Sequence, residues 1–93
     1  MLSFGLYRVE GDSMLPTYKP GDLLLGRKWF IDPKVGDIVV ARIEDRPVIK
    51  RIARVNDDQI VLLGDNPSAS TDSRAFGPIS RDAIIAAIRS SKT

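Results

Sequence analysis

Short aliphatic and β-branched runs alternate with glycine and proline along this chain, the pattern of an all-β domain with many turns. The breaks fall at Gly11, Pro16, Pro20-Gly21, Pro33, Gly36, Pro47, Gly64, Pro67 and Gly77-Pro78. Between them the pattern predicts strands at 5–10, 22–29, 37–43, 47–55 and 59–63. Glu44-Asp45-Arg46 and Asn56-Asp57-Asp58 read as hairpin connections, so residues 37–63 form a meander. Residues 64–78 read as one long polar loop rich in Ser and Thr, and loops above ~12 residues are usually functional or disordered. The last segment, 79–90, is open. Ala83-Ile84-Ile85-Ala86-Ala87-Ile88 favours helix by propensity, but six residues after a turn also suit a strand, and periodicity does not decide.

With 93 residues the chain supports one domain, 1–93. The hydrophobic share of 43% and charged share of 28% are those of a soluble globular protein. The longest apolar run, 83–88, is far short of the ~20 residues of a membrane helix. Met1-Leu2-Ser3-Phe4 does not form a signal peptide, so the expectation is a cytoplasmic protein with no membrane segment. A net charge of +2, scattered along the chain, says little for a nucleic-acid face.

Two zeros narrow the chemistry: no cysteine and no histidine. Disulfides, thiol nucleophiles, zinc–thiolate sites, His-ligated metals and a Ser-His-Asp triad within the chain are all excluded. Catalysis must run on Ser, Thr, Lys, Tyr, Asp or Glu, and no cofactor is implied.

In Gly11-Asp12-Ser13-Met14-Leu15-Pro16-Thr17 a serine follows a predicted strand on a tight turn closed by Pro16. Such a turn can present a hydroxyl and aim backbone N–H groups at one point, as a nucleophile with an oxyanion hole needs. Taken alone, Ser13 reads more simply as a turn residue bonded to the backbone. Its base would have to be a lysine. In Val48-Ile49-Lys50-Arg51-Ile52-Ala53-Arg54 alternation sets Lys50 between Val48 and Ile52, with Arg54 on the same face. Burial there would lower the amine's pKa and make it a neutral base, whereas a strand-edge lysine would snorkel to water. In the 64–78 loop Ser70 can orient that amine, and Asp72 and Arg74 can pair.

Together these segments resemble the type I signal peptidases and their Ser/Lys relatives. The serine box resembles Gly11–Thr17, followed by Gly21-Asp22-Leu23-Leu24-Leu25 and Gly36-Asp37-Ile38-Val39. The lysine box resembles Ile49-Lys50-Arg51-Ile52. The last box resembles Gly64-Asp65-Asn66 with Ser70, Asp72-Ser73-Arg74 and Phe76-Gly77-Pro78. The resemblance implies a mostly antiparallel, coiled-sheet core like that of signal peptidases and LexA, with a turn near 80–83 and then a strand. It implies Ser13 as nucleophile and Lys50 as general base. Ser70, Asp72, Arg74, Gly11 and Asp12 support them, Met14 and Pro16 meet the substrate, and the Ser13 N–H serves the oxyanion. At Gly11 many bacterial members carry a second serine that donates to the oxyanion; here backbone donors must suffice.

Within the resemblance, the chain looks more like the small soluble proteases that mature nickel-type superoxide dismutase than like a membrane-tethered signal peptidase. The expected partner is a precursor with a flexible N-terminal extension, with no nucleic acid and an oligomeric state left open. The alternatives are a soluble signal-peptidase core acting on secretory precursors, a fold without activity, or a β-barrel nucleic-acid module. That module would use Arg8, Arg27, Lys28, Arg51 and Arg54 with Trp29 and Phe30. Self-cleavage of the LexA kind has only 12 residues before Ser13 to work on. An exposed apolar patch is expected to be the substrate groove.

Overall fold

The computed structural model describes residues 3–89. Met1, Leu2 and residues 90–93, and with them both ends of the expected domain, lie outside the described residues. The strands are β1 (Phe4–Arg8), β2 (Leu23–Arg27), β3 (Ile38–Ile43), β4 (Arg46–Asn56), β5 (Gln59–Leu63), β6 (Ile79–Ser80) and β7 (Ile84–Ile88). They pair antiparallel in the order β1-β2-β7-β3-β4-β5-β6. The fold is all-β and mostly antiparallel.

The final segment is a strand. A turn at Arg81–Ala83, started by the Ser80 hydroxyl accepting from the Asp82 N–H, feeds β7 between β2 and β3. Pairing on both sides overrides the helical propensity of its alanines, and Ala86 at its centre is fully buried.

Two apolar clusters form the core. Val39, Ala41, Ile52, Ile60, Leu62 and Ile84 make one. Val9, Met14, Tyr18 and Leu24 make the other. Neighbours in β3 point opposite ways, and Ile38 packs on the second cluster while Val39 sits in the first. The central strands therefore bury both faces, each fully buried aliphatic contributing roughly 1.5–3 kcal/mol.

Three local features depart from the sequence pattern. The β3–β4 connection is a two-residue turn, Glu44-Asp45, both at positive φ, closed by the Ile43–Arg46 pair; Arg46 belongs to the strand. Residues 64–78 are not all loop: they hold a 3₁₀ turn at Pro67–Ala69 and a short helix α1 at Ser73–Phe76. In β4 the register with β5 shifts between Ile52 and Arg54, which leaves Ala53 as an extra residue. Such a bulge reverses the parity of the strand. Arg54 then pairs with Val61 on the face opposite Ile52 and is exposed, so it does not share the face of Lys50 as alternation predicted.

Candidate active site

The serine turn leaves β1 through Gly11, whose φ of 71° is left-handed. A Cβ at Gly11 would meet no atom within 4 Å, so backbone conformation rather than space calls for glycine here. The turn is fastened from outside. Asn66 donates its backbone N–H to Ser13 O at 2.8 Å and its side-chain Nδ2 to Asp12 O at 3.1 Å. Thr17 Oγ1 donates to Asp65 Oδ2 at 2.5 Å. Asp65 also accepts both arms of Arg51, at 2.8 Å each, and Arg51 Nη1 reaches Gly36 O. Hydrogen bonding to Arg51 holds the Asp65 carboxyl below its ordinary pKa. Asp65 thus ties together the serine turn, β4 and the chain end of β5. Gly64-Asp65-Asn66 belongs to the last motif box, but this role of Asp65 has no local signal in the sequence, since its partners are 48 and 14 residues away.

Lys50 stands opposite Val39 in the β3–β4 ladder, between Val48 and Ile52, both of which pack in the first cluster. It is 6% exposed, and its Nζ donates to Ser13 Oγ at 2.9 Å. Burial lowers the amine's pKa; the carboxylate of Asp72 partly offsets this. Among the described residues the two buried charged side chains are Lys50 and Asp72, and both belong to this cluster.

Asp72 is fully buried and accepts five hydrogen bonds. Its Oδ1 takes Arg74 N and Nε, and its Oδ2 takes Arg74 Nη2, Gly64 N and Ser70 Oγ. The Arg74 bonds come first among the causes that pull its pKa far below the ordinary carboxylate value. The expected Asp72–Arg74 pair is present. The expected Ser70–Lys50 bond is not: Ser70 Oγ donates to Asp72 at 2.8 Å instead. A carboxylate two residues away is the stronger local acceptor. Ser73, part of the last box but given no role there, accepts the Leu62 N–H through Oγ at 2.8 Å and seats α1 against β5.

Gly64 lies where these pieces meet. A Cβ there would fall 2.2 Å from Ser70 Oγ and 2.8 Å from Ser13 O. Gly64→Ala is therefore expected to cost about 1–3 kcal/mol, the range for forcing a group into filled space. A thermal melt reads this as a lower Tm, and an unchanged Tm would show that the contact is slack.

Beside Ser13 and Lys50 opens a cleft of about 580 Å³. Leu6, Tyr7, Arg8, Val9 and Glu10 line one side and Arg46, Pro47, Val48 and Ile49 the other. Tyr7 lies over the facing pair Gly5–Gly26: a Cβ at Gly5 would be 2.6 Å from its hydroxyl, and one at Gly26 2.8 Å from its ring. Met14 lines the cleft but is 1% exposed, and its bulk belongs to the second cluster. Pro16, expected at the substrate, is not among the lining residues; it follows a cis Leu15–Pro16 bond and is exposed.

The exposed apolar side chains coincide with the groove only at Leu6, which lines it and pairs with Leu25 on the face of β1 and β2 that also carries Phe4 and Leu23; Phe30 and Val35 lie outside these strands. Of the residues a nucleic-acid module would use, Arg51 is committed to Asp65, and Trp29 packs edge-on against Phe4 at 4.8 Å. No helix among the described residues is long and apolar enough to cross a membrane.

Residues 3–88 match the family described as Peptidase S24-like. The chain is 43% identical to the LexA repressor of Petrotoga mobilis over 66% of its own length and 30% of the repressor. It is 30% identical to mitochondrial inner membrane protease subunit 2 of Schizosaccharomyces pombe, covering 86% of this chain and 59% of that one. It is 33% identical to subunit 1 of the Xenopus tropicalis protease, covering 75% and 58%. The chain thus spans less than two thirds of each of these relatives.

Proposed function

This chain belongs to the Peptidase S24-like family, and from that premise we propose that it is a serine endopeptidase working through Ser13 and Lys50. The observation that carries the reading is the buried Lys50 amine 2.9 Å from Ser13 Oγ. In a chain without His or Cys this is a nucleophile with a base in reach. Burial favours the neutral amine. Its lone pair then accepts the Ser13 proton as Oγ attacks the scissile carbonyl carbon. The C=O electrons move onto oxygen, and the Ser13 N–H, with no protein acceptor among the described residues, is placed to donate to that oxyanion. When the C–N bond breaks, the Lys50 ammonium returns its proton to the leaving amine. Water then attacks the acyl carbon, giving a proton to Lys50; the C–Oγ bond breaks, the Lys50 ammonium returns the proton to Ser13 Oγ, and the acid product leaves.

Asp72 and Arg74 brace the loop under Lys50. Ser70 acts on the amine through Asp72, so it is a positioning residue. Ser70→Ala should lower kcat about tenfold with KM little changed, the low end of what one positioned hydrogen bond supplies. An unchanged kcat would remove Ser70 from the machinery.

The substrate we propose is a precursor with a flexible N-terminal extension, met in the cytoplasm. The nickel superoxide dismutase precursor suits this, because its metal ligands need a freshly exposed N-terminus. The test is co-expression with that precursor followed by N-terminal sequencing. Trimming by the wild type and none by Ser13→Ala supports the reading. An intact precursor beside a cut secretory precursor makes the chain a signal-peptidase core instead.

A further inference from the structure

The cleft is polarised along its length. Glu10 stands three residues before Ser13, and Arg46 lies at the start of β4, four residues before Lys50. At about 3.3 Å per residue, that separates Arg46 from the nucleophile end by roughly 13 Å. Arg8 lines the facing wall on β1. Both guanidiniums are on exposed residues, and neither has a hydrogen-bond or ion-pair partner among the described residues. Arg51 and Arg74, by contrast, are each bonded to a carboxylate. Arg46 also borders a second cavity of about 250 Å³ with Ile43, Glu44, Val48 and Phe76, and Glu44 makes no ion pair with it.

An extended segment lying along β4 from Ser13 brings its fourth residue beside Arg46. A carboxylate there meets planar donors suited to two-point bonding, from Arg46 and across the cleft from Arg8. A carboxylate next to the cleaved bond meets Glu10 instead and is repelled. We infer that this cleft selects extended protein segments with an acidic side chain about four residues from the cleaved bond and no acidic side chain beside it. The inference rests on the peptidase reading for the position of the bond. Its charge preference can nonetheless be read from binding alone.

The probes are fluorescein-labelled, alanine-rich decapeptides. One set carries a single Asp, Asn or Lys four positions from a central Ala-Ala bond, on either side; another carries the same residues adjacent to it. Anisotropy titrations use the full chain with Ser13→Ala, so that binding is read without turnover. The distal Asp peptide of one side should bind about tenfold tighter than its Asn counterpart, the size of one charge-assisted hydrogen bond. Arg46→Glu should reverse the order in favour of the Lys peptide, and Arg8→Gln should weaken the Asp preference without reversing it. Equal binding of the Asp, Asn and Lys peptides, or no binding of any, overturns the inference. So does a preference untouched by Arg46→Glu. Cleavage of the same peptides by the wild-type chain separates the two readings. Cleavage without charge preference leaves the peptidase and removes the selection, while a charge preference without cleavage does the reverse.

Discussion

Ser13→Ala and Lys50→Met should each reduce cleavage by at least about 10⁴-fold while leaving the melting curve in place. Losses of that order follow when a nucleophile or its base is removed from a serine peptidase. The two side chains share one hydrogen bond, and in this chain no imidazole or thiol can stand in for either. On the proposed mechanism they act as a unit, so the double variant should be little worse than either single one. Lys50→Met keeps the length and apolar stem of the lysine in a site that is 6% exposed, so the fold should tolerate it or gain from it. Turnover with purified chain and a cleaved precursor checks the activities, and thermal melts check the fold. Wild-type turnover in Ser13→Ala would end the assignment.

Asp72→Ala should be the most damaging single change to stability. It leaves Gly64 N, Ser70 Oγ and the Arg74 side chain without their acceptor. Breaking a buried pair costs about 3–5 kcal/mol. Arg74 is 48% exposed and rehydrates, which places the loss near the lower end, about 3 kcal/mol. Each kcal/mol is worth about 4–8 °C of Tm in a domain of this size. The acid side follows from the same contacts. With the folded-state pKa of Asp72 depressed, its stabilisation is complete above the ordinary carboxylate range and drains away as pH falls through the folded value. The wild type should therefore lose stability below about pH 4 more steeply than Asp72→Ala. Matching acid transitions in the two proteins would show that Asp72 is not the group responsible. Asp72 also raises the Lys50 pKa from across the site. Asp72→Asn should accordingly shift the acidic limb of the rate profile to lower pH, an effect that a purely structural role would not produce.

Much of this architecture is legible in the chain because strands declare themselves through β-branched runs between glycines and prolines. All five strands read from that pattern are present, with ends displaced by a few residues. β7 is legible only through resemblance, since its alanines speak for helix and its neighbours β2 and β3 decide otherwise. The bulge at Ala53 has no signature in the sequence, and it moves Arg54 to the other face. The absence of His and Cys makes Ser13 and Lys50 candidates, but each alone reads more simply as structural, and only the family resemblance implies their roles. Their fastening could not be named. The Thr17–Asp65–Arg51 link and the Asn66 clamp are long-range pairings fixed only once β4, β5 and the serine turn have met. Ser70 lies in the expected neighbourhood but bonds Asp72 rather than Lys50, because the sequence says nothing about how hydroxyls compete for a buried carboxylate. Met14 illustrates the reverse case: a residue adjacent to Ser13 in sequence spends its surface in the core.

The most direct test is the pH dependence of kcat/KM for a cleaved peptide or precursor. A charged Lys50 cannot take the Ser13 proton, so the rate must rise as the amine deprotonates. Burial favours the neutral form in the free protein. The acidic limb should report an apparent pKa below the 10.5 of an ordinary lysine, followed by a plateau. A rate that keeps climbing through that ordinary value, as it would for a solvated amine, would contradict a buried Lys50 acting as the base for Ser13.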